Sequence, residues 1–190
     1  MEHHVGRVLL SRERIEERVT ELGARLSQDL AAALREEGDD ALDHPDRVVM
    51  VPILTGSIVF VADLVRHMPL KMSLRLVTVS SYPGQSTKSK GASLRGALPD
   101  DLEGRHVVVV DDILDSGQTL DLVKRVIEEQ NPASIRFCVL LDKQVEKAVD
   151  MKAEYTGFEI PDEFVVGYGL DYDGFYRNLP DIMVLAEQHR

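Results

Sequence analysis

Three aspartates lie close together at the end of an apolar segment. Asp111, Asp112 and Asp115 come directly after the run Val107–Val110, and Ser116–Thr119 follows them. The apolar run predicts a strand that is covered on both faces, as in a parallel sheet. Ligands of open α/β sheets bind at the carboxyl ends of such strands, and a glycine-containing loop at the start of a helix offers backbone N–H groups to a phosphate. These residues therefore outline a site for a sugar phosphate with adjacent hydroxyls.

A plain structural role is the alternative for the same residues. Asp115 or Ser116 could simply cap the helix that the pattern predicts from about Thr119 to Glu129. A P-loop is not favoured, because neither G-x-x-x-x-G-K-[ST] nor G-x-G-x-x-G occurs in the chain. However, three carboxylates within five residues repel one another, so they need a cation, a hydroxyl-rich ligand or raised pKa values. The density of acids favours a functional site.

The segment resembles the phosphoribosyl pyrophosphate signature of the type I phosphoribosyltransferases, in which two acids and two apolar residues precede D-[ST]-G-x-T. Other segments are similar, in the same order, to the hypoxanthine (guanine) members of that family: Ile53–Ser57, Ser80–Tyr82, Leu140–Lys143 and Gly157–Pro180. The resemblance extends from about Val48 to Pro180. It implies transfer of a 5-phosphoribosyl group from magnesium-bound phosphoribosyl pyrophosphate to N9 of hypoxanthine or guanine, with a nucleotide and pyrophosphate as products.

The resemblance assigns roles around the acidic segment. Asp115 is expected to be the general base near N7 of the purine. Asp111, which is shorter than the glutamate common at that position, and Asp112 are expected to hold the ribose hydroxyls. Together with Asp171 they would also hold Mg²⁺. The expected cradle of the 5-phosphate consists of Ser116, Gly117, Gln118 and Thr119.

Pyrophosphate is expected at the turn Leu54, Thr55 and Gly56, together with Arg177. Tight turning at Gly56 can point backbone amides at an anion. The resemblance implies a cis peptide bond between Leu54 and Thr55. Thr55 stands where lysine or arginine is common in the family, so amide contacts are expected here without a cationic side chain. A plain surface ion pair is the alternative for Arg177 with Asp171.

The purine is expected to contact Lys143, Phe164, Val165 and Asp171. In the resembling enzymes the matching lysine donates to the oxygen at C6 of the base. A group that only donates hydrogen bonds favours a 6-oxo purine over a 6-amino one, so adenine should be rejected. The alternatives are a solvated surface charge for Lys143 and plain core packing for Phe164.

The stretch from about residue 82 to 98 is too long for an ordinary connection and is rich in glycine and serine. It is expected to be a lid that excludes water from the reacting centre, with Ser81 and Tyr82 at its base. A surface loop without function is the alternative.

Apolar periodicity predicts a long helix from an N-cap at Ser11 to near Gly38 and a second helix over Ser57–Met68. Strands are expected at Arg47–Pro52, Leu74–Ser80, Val107–Val110 and Ile135–Leu140. This alternation predicts an α/β fold with a parallel sheet flanked by helices. The resemblance adds a small hood from the terminal segments. The expected single domain spans residues 1–190, with a core at about 38–160 and the hood at about 1–10 and 160–190.

Bulk properties narrow the class of protein further. A net charge of −11 without a basic run argues against a nucleic-acid or membrane partner. Cys138 lies in an apolar run and has no partner for an intrachain disulfide. No leader or span is evident, so a cytoplasmic protein is expected. The family suggests a homo-dimer or homo-tetramer.

Two other functions stay open at this point. A phosphoribosyltransferase could prefer xanthine or a pyrimidine instead, because the sequence scarcely reports on position C2 of the base. A non-enzymatic regulator could use the same fold to sense nucleotides and could bind RNA. That protein would be expected to have a basic face or a damaged catalytic acid, and neither feature occurs here.

Overall fold

The computed structural model describes residues 5–38, 46–80, 93–95 and 99–186 of the 190-residue chain. The helices are α1 (Arg12–Glu36), α2 (Ile58–Leu64), which a short 3₁₀ turn (Val65–His67) follows, and α3 (Gln118–Glu128). The strands are β1 (Val5–Leu10), β2 (Val48–Leu54), β3 (Ser73–Leu74), β4 (Val77–Ser80), β5 (Ser93–Arg95), β6 (His106–Leu114), β7 (Ser134–Lys143), β8 (Tyr155–Ile160), β9 (Val165–Val166) and β10 (Ile182–Leu185).

The central sheet has the strand order β5-β4-β2-β6-β7-β8, and β3 also pairs with β2. All of these pairs are parallel except β4 with β5. The carboxyl ends of β2, β6, β7 and β8 therefore meet at one edge of the sheet, where a ligand of such a sheet binds.

The four consecutive valines of β6 fill the core on both faces of the sheet. Val108 and Val110 pack in the cluster that includes the apolar side of α1, whereas Val107 and Val109 pack with the buried face of α3. All four are fully buried. The predicted strand with two covered faces is confirmed, because side chains of a strand alternate between its faces.

A second, three-stranded antiparallel sheet has the order β1-β10-β9. In this sheet a strand near the start of the chain pairs with a strand near its end, and the sheet is separate from the central one. The predicted fold class, a parallel sheet flanked by helices with a hood from the terminal segments, is confirmed. In the described residues, no helix has both the length and the apolar character that crossing a bilayer requires.

Several predicted boundaries were wrong by a few residues. The strand predicted at Val107–Val110 continues to Leu114, because Asp111, Ile113 and Leu114 keep their register with β7. The predicted strand Leu74–Ser80 is two strands, β3 and β4, and both pair with β2.

The helices and the other strands needed smaller corrections. The helix predicted over Ser57–Met68 ends at Leu64 and gives way to the 3₁₀ turn. In α1, Ser11 occupies the N-cap position, but its side chain makes no capping hydrogen bond. Strand β8 was not predicted, since its sequence YTGFEI contains a glycine and lacks an apolar run.

Candidate active site

A cavity of about 620 Å³ lies at the carboxyl ends of β2, β6 and β7. Most of the predicted site residues line it: Leu54, Thr55, Gly56, Asp111, Asp112, Asp115, Ser116, Gly117, Thr119, Lys143, Phe164, Val165, Asp171 and Arg177. Parallel strands bring these residues together from distant parts of the sequence, because their carboxyl ends share one edge.

Asp111 and Asp112 form an acidic pair within β6, and not after the strand as the sequence had indicated. Asp111 is buried, and its Oδ1 accepts a hydrogen bond from the backbone N–H of Asp112 at 3.0 Å. Burial, and then the neighbouring carboxylate, raise the pKa of Asp111 well above its ordinary value. Burial also raises the pKa of Asp112, against the opposing effect of hydrogen bonds and Arg177. A cation or a set of ligand hydroxyls would offset this crowding of negative charge.

The loop after β6 turns at Gly117 into α3. Gly117 has φ +81°, and a Cβ at this position would lie 2.8 Å from the carbonyl oxygen of Val149, so glycine is required there. Gly117 is also the N-cap residue, and no side chain caps the helix by a hydrogen bond. The backbone N–H groups in the first turn of α3 can therefore donate hydrogen bonds to an anion in the cavity. The alternative that Asp115 caps α3 is wrong, because no side chain caps this helix by a hydrogen bond and the Asp115 carboxylate pairs with Lys143.

The turn after β2 is narrow at Gly56. The Leu54–Thr55 peptide bond is cis, as the resemblance implied. A Cβ on Gly56 would lie 1.7 Å from Oδ2 of Asp112, so only glycine leaves room for that carboxylate. The turn and the acidic pair therefore form one packed unit.

Lys143 is the last residue of β7 and, like Arg177, lines the cavity. Its Nζ lies 3.2 Å from Oδ2 of Asp115 and 3.4 Å from Oδ1 of Asp162. The side chain is only 11 % exposed. Lys143 is therefore not the solvated surface charge that was the alternative for it.

Phe164 is 41 % exposed and lines the cavity, so it is not a core residue. Its ring packs edge-on against Tyr172, with 5.5 Å between the ring centroids and an interplanar angle of 89°. The neighbouring Val165 begins β9 and is buried. The ring of Phe164 and the ammonium of Lys143 therefore belong to the wall of the same cavity.

Asp171 and Arg177 also line the cavity and pair with each other, with 2.6 Å between Oδ1 and a guanidinium nitrogen. Arg177 also donates to the carbonyl oxygen of Gly169, and Oδ2 of Asp171 accepts from the backbone N–H of Gly174 at 2.8 Å. Both side chains are about one third exposed. The predicted pair exists, but it lines the cavity and holds the turn in one conformation.

Three predicted residues are not part of this arrangement. Gln118 begins α3 and does not line the cavity; its backbone N–H lies 3.4 Å from Oγ of Ser116. Ser81 and Tyr82 lie outside the described residues, as does the predicted lid except for the strand Ser93–Arg95.

Asp162 and Tyr172 were missed by the sequence reasoning, although both lie inside the segment that carries the resemblance. For Asp162 a signal existed, since it follows β8 at the same sheet edge as Lys143. Tyr172 gave no such signal, because its contact with Phe164 depends on the fold.

Few side chains of the described site could serve as ligands of a metal ion. In the described ranges, no group of three or more His, Cys, Asp or Glu side chains is close enough together to hold an ion by itself. The crowded pair Asp111 and Asp112 fits a hard cation, whereas Asp171 already accepts from Arg177. Magnesium keeps several waters and binds through one or two carboxylates plus substrate phosphates, which suits a site of this kind.

The fold and the cavity together define a class. A family model described as the phosphoribosyl transferase domain matches residues 17–173, and the chain belongs to this family. It is 40 % identical over 188 residues to the hypoxanthine-guanine phosphoribosyltransferase of Streptococcus pneumoniae (strain ATCC BAA-255 / R6), with 99 % of this chain and 97 % of that protein covered.

Two further relatives agree with the first. The hypoxanthine-guanine phosphoribosyltransferase of Bacillus subtilis (strain 168) is 39 % identical over 186 residues, which cover 97 % of this chain and 96 % of that protein. A crystal structure of a hypoxanthine phosphoribosyltransferase from Staphylococcus aureus is similar with a TM-score of 0.84 at 36 % identity, covering 97 % of this chain and 94 % of that one.

Proposed function

We propose that this protein transfers the 5-phosphoribosyl group of phosphoribosyl pyrophosphate to N9 of hypoxanthine or guanine, as a pentosyltransferase of purine salvage. The products are IMP or GMP and pyrophosphate. One observation carries the proposal: a single cavity contains the acidic pair, the loop at the start of α3, and Lys143 beside Phe164. The first two suit a ribose phosphate, and the last two suit a 6-oxopurine. Membership of the family supports the same reaction.

The sugar half of the donor fits the acidic segment. Carboxylates of Asp111 and Asp112 would accept hydrogen bonds from the 2- and 3-hydroxyls of ribose. The 5-phosphate would bind to backbone N–H groups of the loop from Ser116 to Thr119, where the α3 dipole favours an anion. Gly117 has no side chain, which would let the backbone of that loop approach the phosphate closely.

The base half fits the cavity wall at Lys143. The ammonium would donate to the oxygen at C6, and Phe164 would stack on the purine, with the backbone of Val165 at its edge. Adenine presents an amino group at C6, which would leave the N–H of Lys143 that is directed at the base without an acceptor. Leaving a charged donor unpaired in a partly buried site costs free energy, so adenine should be a poor substrate.

Chemistry would take place between these two halves. The bond from N9 to C1′ forms, the bond from C1′ to the pyrophosphate oxygen breaks, and the N7 proton goes to Asp115. The negative charge of Asp115 and of the acidic pair would also favour the cationic ribosyl group in the transition state.

Pyrophosphate would leave next to Arg177 and the turn at Gly56. Mg²⁺, when bound, would offset the charge of the leaving group and of the acidic pair Asp111 and Asp112, with Asp171 nearby. Thr55 contributes no cation, so Arg177 is the guanidinium that this chain offers to pyrophosphate on the cavity wall.

The proposal extends to three features that rest on the resemblance alone. These are a lid at about residues 82–98 with Ser81 and Tyr82 at its base, a homo-dimer or homo-tetramer, and a cytoplasmic location. Each can be measured separately from catalysis.

The test is nucleotide formation from phosphoribosyl pyrophosphate and Mg²⁺ with hypoxanthine, guanine, xanthine, adenine or uracil. We expect product from hypoxanthine or guanine and none from adenine. Xanthine or uracil as the best substrate would retain the phosphate site but reject the proposed base specificity. The absence of product with every base, combined with nucleotide binding, would support a regulator instead.

A further inference from the structure

The ammonium of Lys143 lies between two carboxylates that come from different parts of the chain. Asp115 belongs to the loop after β6, and Asp162 follows β8. Their nearest oxygens lie 3.2 Å and 3.4 Å from Nζ. An ammonium group has three N–H donors. Nζ donates a hydrogen bond to Asp162 and forms an ion pair with Asp115, so at least one donor is available to a ligand in the cavity.

The turn that carries Asp162 is held at both of its ends. At its start, the carbonyl oxygen of Ile160 accepts from the backbone N–H of Gln144 at 2.9 Å. After Asp162, both carboxylate oxygens of Glu163 lie 2.7 Å from one guanidinium nitrogen of Arg7. The backbone on both sides of Asp162 is thus held near the end of β7, where Lys143 lies.

The two acids differ in what the reaction does to them. In the proposed function, Asp115 takes the N7 proton and becomes neutral, so its attraction to Lys143 falls during the step. Asp162 does not line the cavity and takes no part in that proton transfer. Its attraction to Lys143 therefore persists when that of Asp115 is lost.

We infer that Asp162 is a positioning residue for base recognition, which orients the Lys143 ammonium toward the C6 oxygen while Asp115 carries the proton. This inference rests on the proposed function. It assigns to the turn after β8 a contribution to the KM of the base and none to the binding of phosphoribosyl pyrophosphate. Because the Asp162 side chain is 72 % exposed, water screens its charge and the effect is expected to be moderate.

The first experiment measures KM for each substrate in the full-length Asp162→Asn variant. We expect KM for hypoxanthine and guanine to rise by up to about fivefold, which corresponds to the roughly 1 kcal/mol upper range of an exposed ion pair. KM for phosphoribosyl pyrophosphate should stay unchanged. Asp162→Glu should restore much of the loss, because it keeps the charge within reach of the ammonium.

Glu159→Gln is the matched control. Glu159 is an exposed carboxylate on β8, the strand that precedes Asp162, and in the described residues no ion pair joins it to Lys143. The control removes the same charge from the same region of the surface. An equal rise in the KM of the base in both variants would overturn the inference, since the effect would then be a general one of net charge.

A binding experiment tests the sharing of Lys143 without catalysis. IMP is titrated into the wild type, Asp162→Asn, Asp115→Asn and the double variant. If both acids orient Lys143, Asp162→Asn should weaken IMP binding more strongly when Asp115 is already Asn. Identical effects in both backgrounds, or tighter binding on loss of Asp162, would contradict the inference.

The proposed function and the role of Asp162 can be rejected separately. A wild-type protein that forms no nucleotide from any 6-oxopurine would remove the proposed function. An active wild type whose Asp162→Asn variant has the same KM values as Glu159→Gln would remove only the role of Asp162.

Discussion

Two cations on the cavity wall, Lys143 and Arg177, are paired with carboxylates in different ways. The two groups are called the Lys143 end and the Arg177 end. At the Lys143 end, the ammonium contacts Asp115 and Asp162, which belong to two other elements of the sheet edge. At the Arg177 end, the guanidinium pairs with Asp171, six residues earlier in the same turn. The first pair depends on the packing of the sheet, whereas the second depends on one local turn. Each end should therefore respond separately to substitution.

The acidic pair of Asp111 and Asp112 lines the same cavity, and the described residues provide it with no cation in direct contact. Burial raises both pKa values. The pair therefore lacks the partner charge that Lys143 and Arg177 each have, and the ribose and a metal-bound pyrophosphate would lie beside it. We therefore predict that the acidic pair determines the affinity for phosphoribosyl pyrophosphate. The Lys143 end should determine the affinity for the base.

The largest effect is expected from Asp115→Asn. An amide cannot take the N7 proton, so kcat should fall about a hundredfold or more, as for loss of a general base. Steady-state kinetics with hypoxanthine would measure this. Asp173→Asn, which removes an acid from the Asp171–Arg177 turn outside the cavity wall, serves as the control and should retain kcat. Unchanged turnover in Asp115→Asn would exclude it as the base.

The next effect should come from Gly56→Ala, in the turn that packs against the acidic pair. The added Cβ would collide with Oδ2 of Asp112 and push that carboxylate away. The displaced carboxylate would lose a hydrogen bond to the ribose, and hydrogen bonds to charged groups contribute about 1.5–3 kcal/mol, so the affinity for phosphoribosyl pyrophosphate should fall roughly tenfold to a hundredfold. Titration calorimetry would measure it, and an affinity equal to that of the wild type would show that Asp112 does not hold the donor.

The acidic pair also predicts a dependence of stability on pH. Because the folded-state pKa of Asp111 is raised, the ionised pair destabilises the fold at neutral pH, and this cost is relieved as the pH falls through the raised pKa. Asp111→Asn should thus have a higher Tm than the wild type at neutral pH. The difference should shrink in acid. A constant difference across the pH range would contradict the assignment.

The smallest effect is expected at the edge contact between Tyr172 and Phe164. Such aromatic pairs contribute about 0.5–1.5 kcal/mol, so Tyr172→Ala should raise the KM of the base about twofold to tenfold. Tyr172→Phe keeps the ring and should behave like the wild type. Equal kinetics for the alanine and phenylalanine variants would mean that the ring of Tyr172 does not orient Phe164.

Much of this site could be predicted because its residues follow apolar runs. The valines of β6 and the run before Lys143 marked two neighbouring parallel strands, and the acids and the lysine at their ends followed from that. The pair of Asp171 with Arg177 was also predictable, since both lie in one short turn.

The pairing of Lys143 with Asp115 and Asp162 could not be predicted in the same way. It requires the order of β6, β7 and β8 in the sheet, and β8 gives a weak signal because of Gly157. A Cβ at Gly157 would lie 2.4 Å from the carbonyl oxygen of Leu140, so the glycine that obscures the strand in the sequence is the residue that lets it pack. Contacts between strands decide this part of the site, and local patterns do not report them.

The most direct test of whether Lys143 and Arg177 bind different substrates is to measure the KM of each substrate in the Lys143→Gln and Arg177→Gln variants. Each variant removes a charged donor, whose hydrogen bonds contribute about 1.5–3 kcal/mol. We predict that Lys143→Gln raises the KM of hypoxanthine and guanine and leaves that of phosphoribosyl pyrophosphate unchanged. Arg177→Gln should do the reverse. If both variants raised both KM values equally, the two ends would not bind separate substrates and the account of the cavity would be wrong.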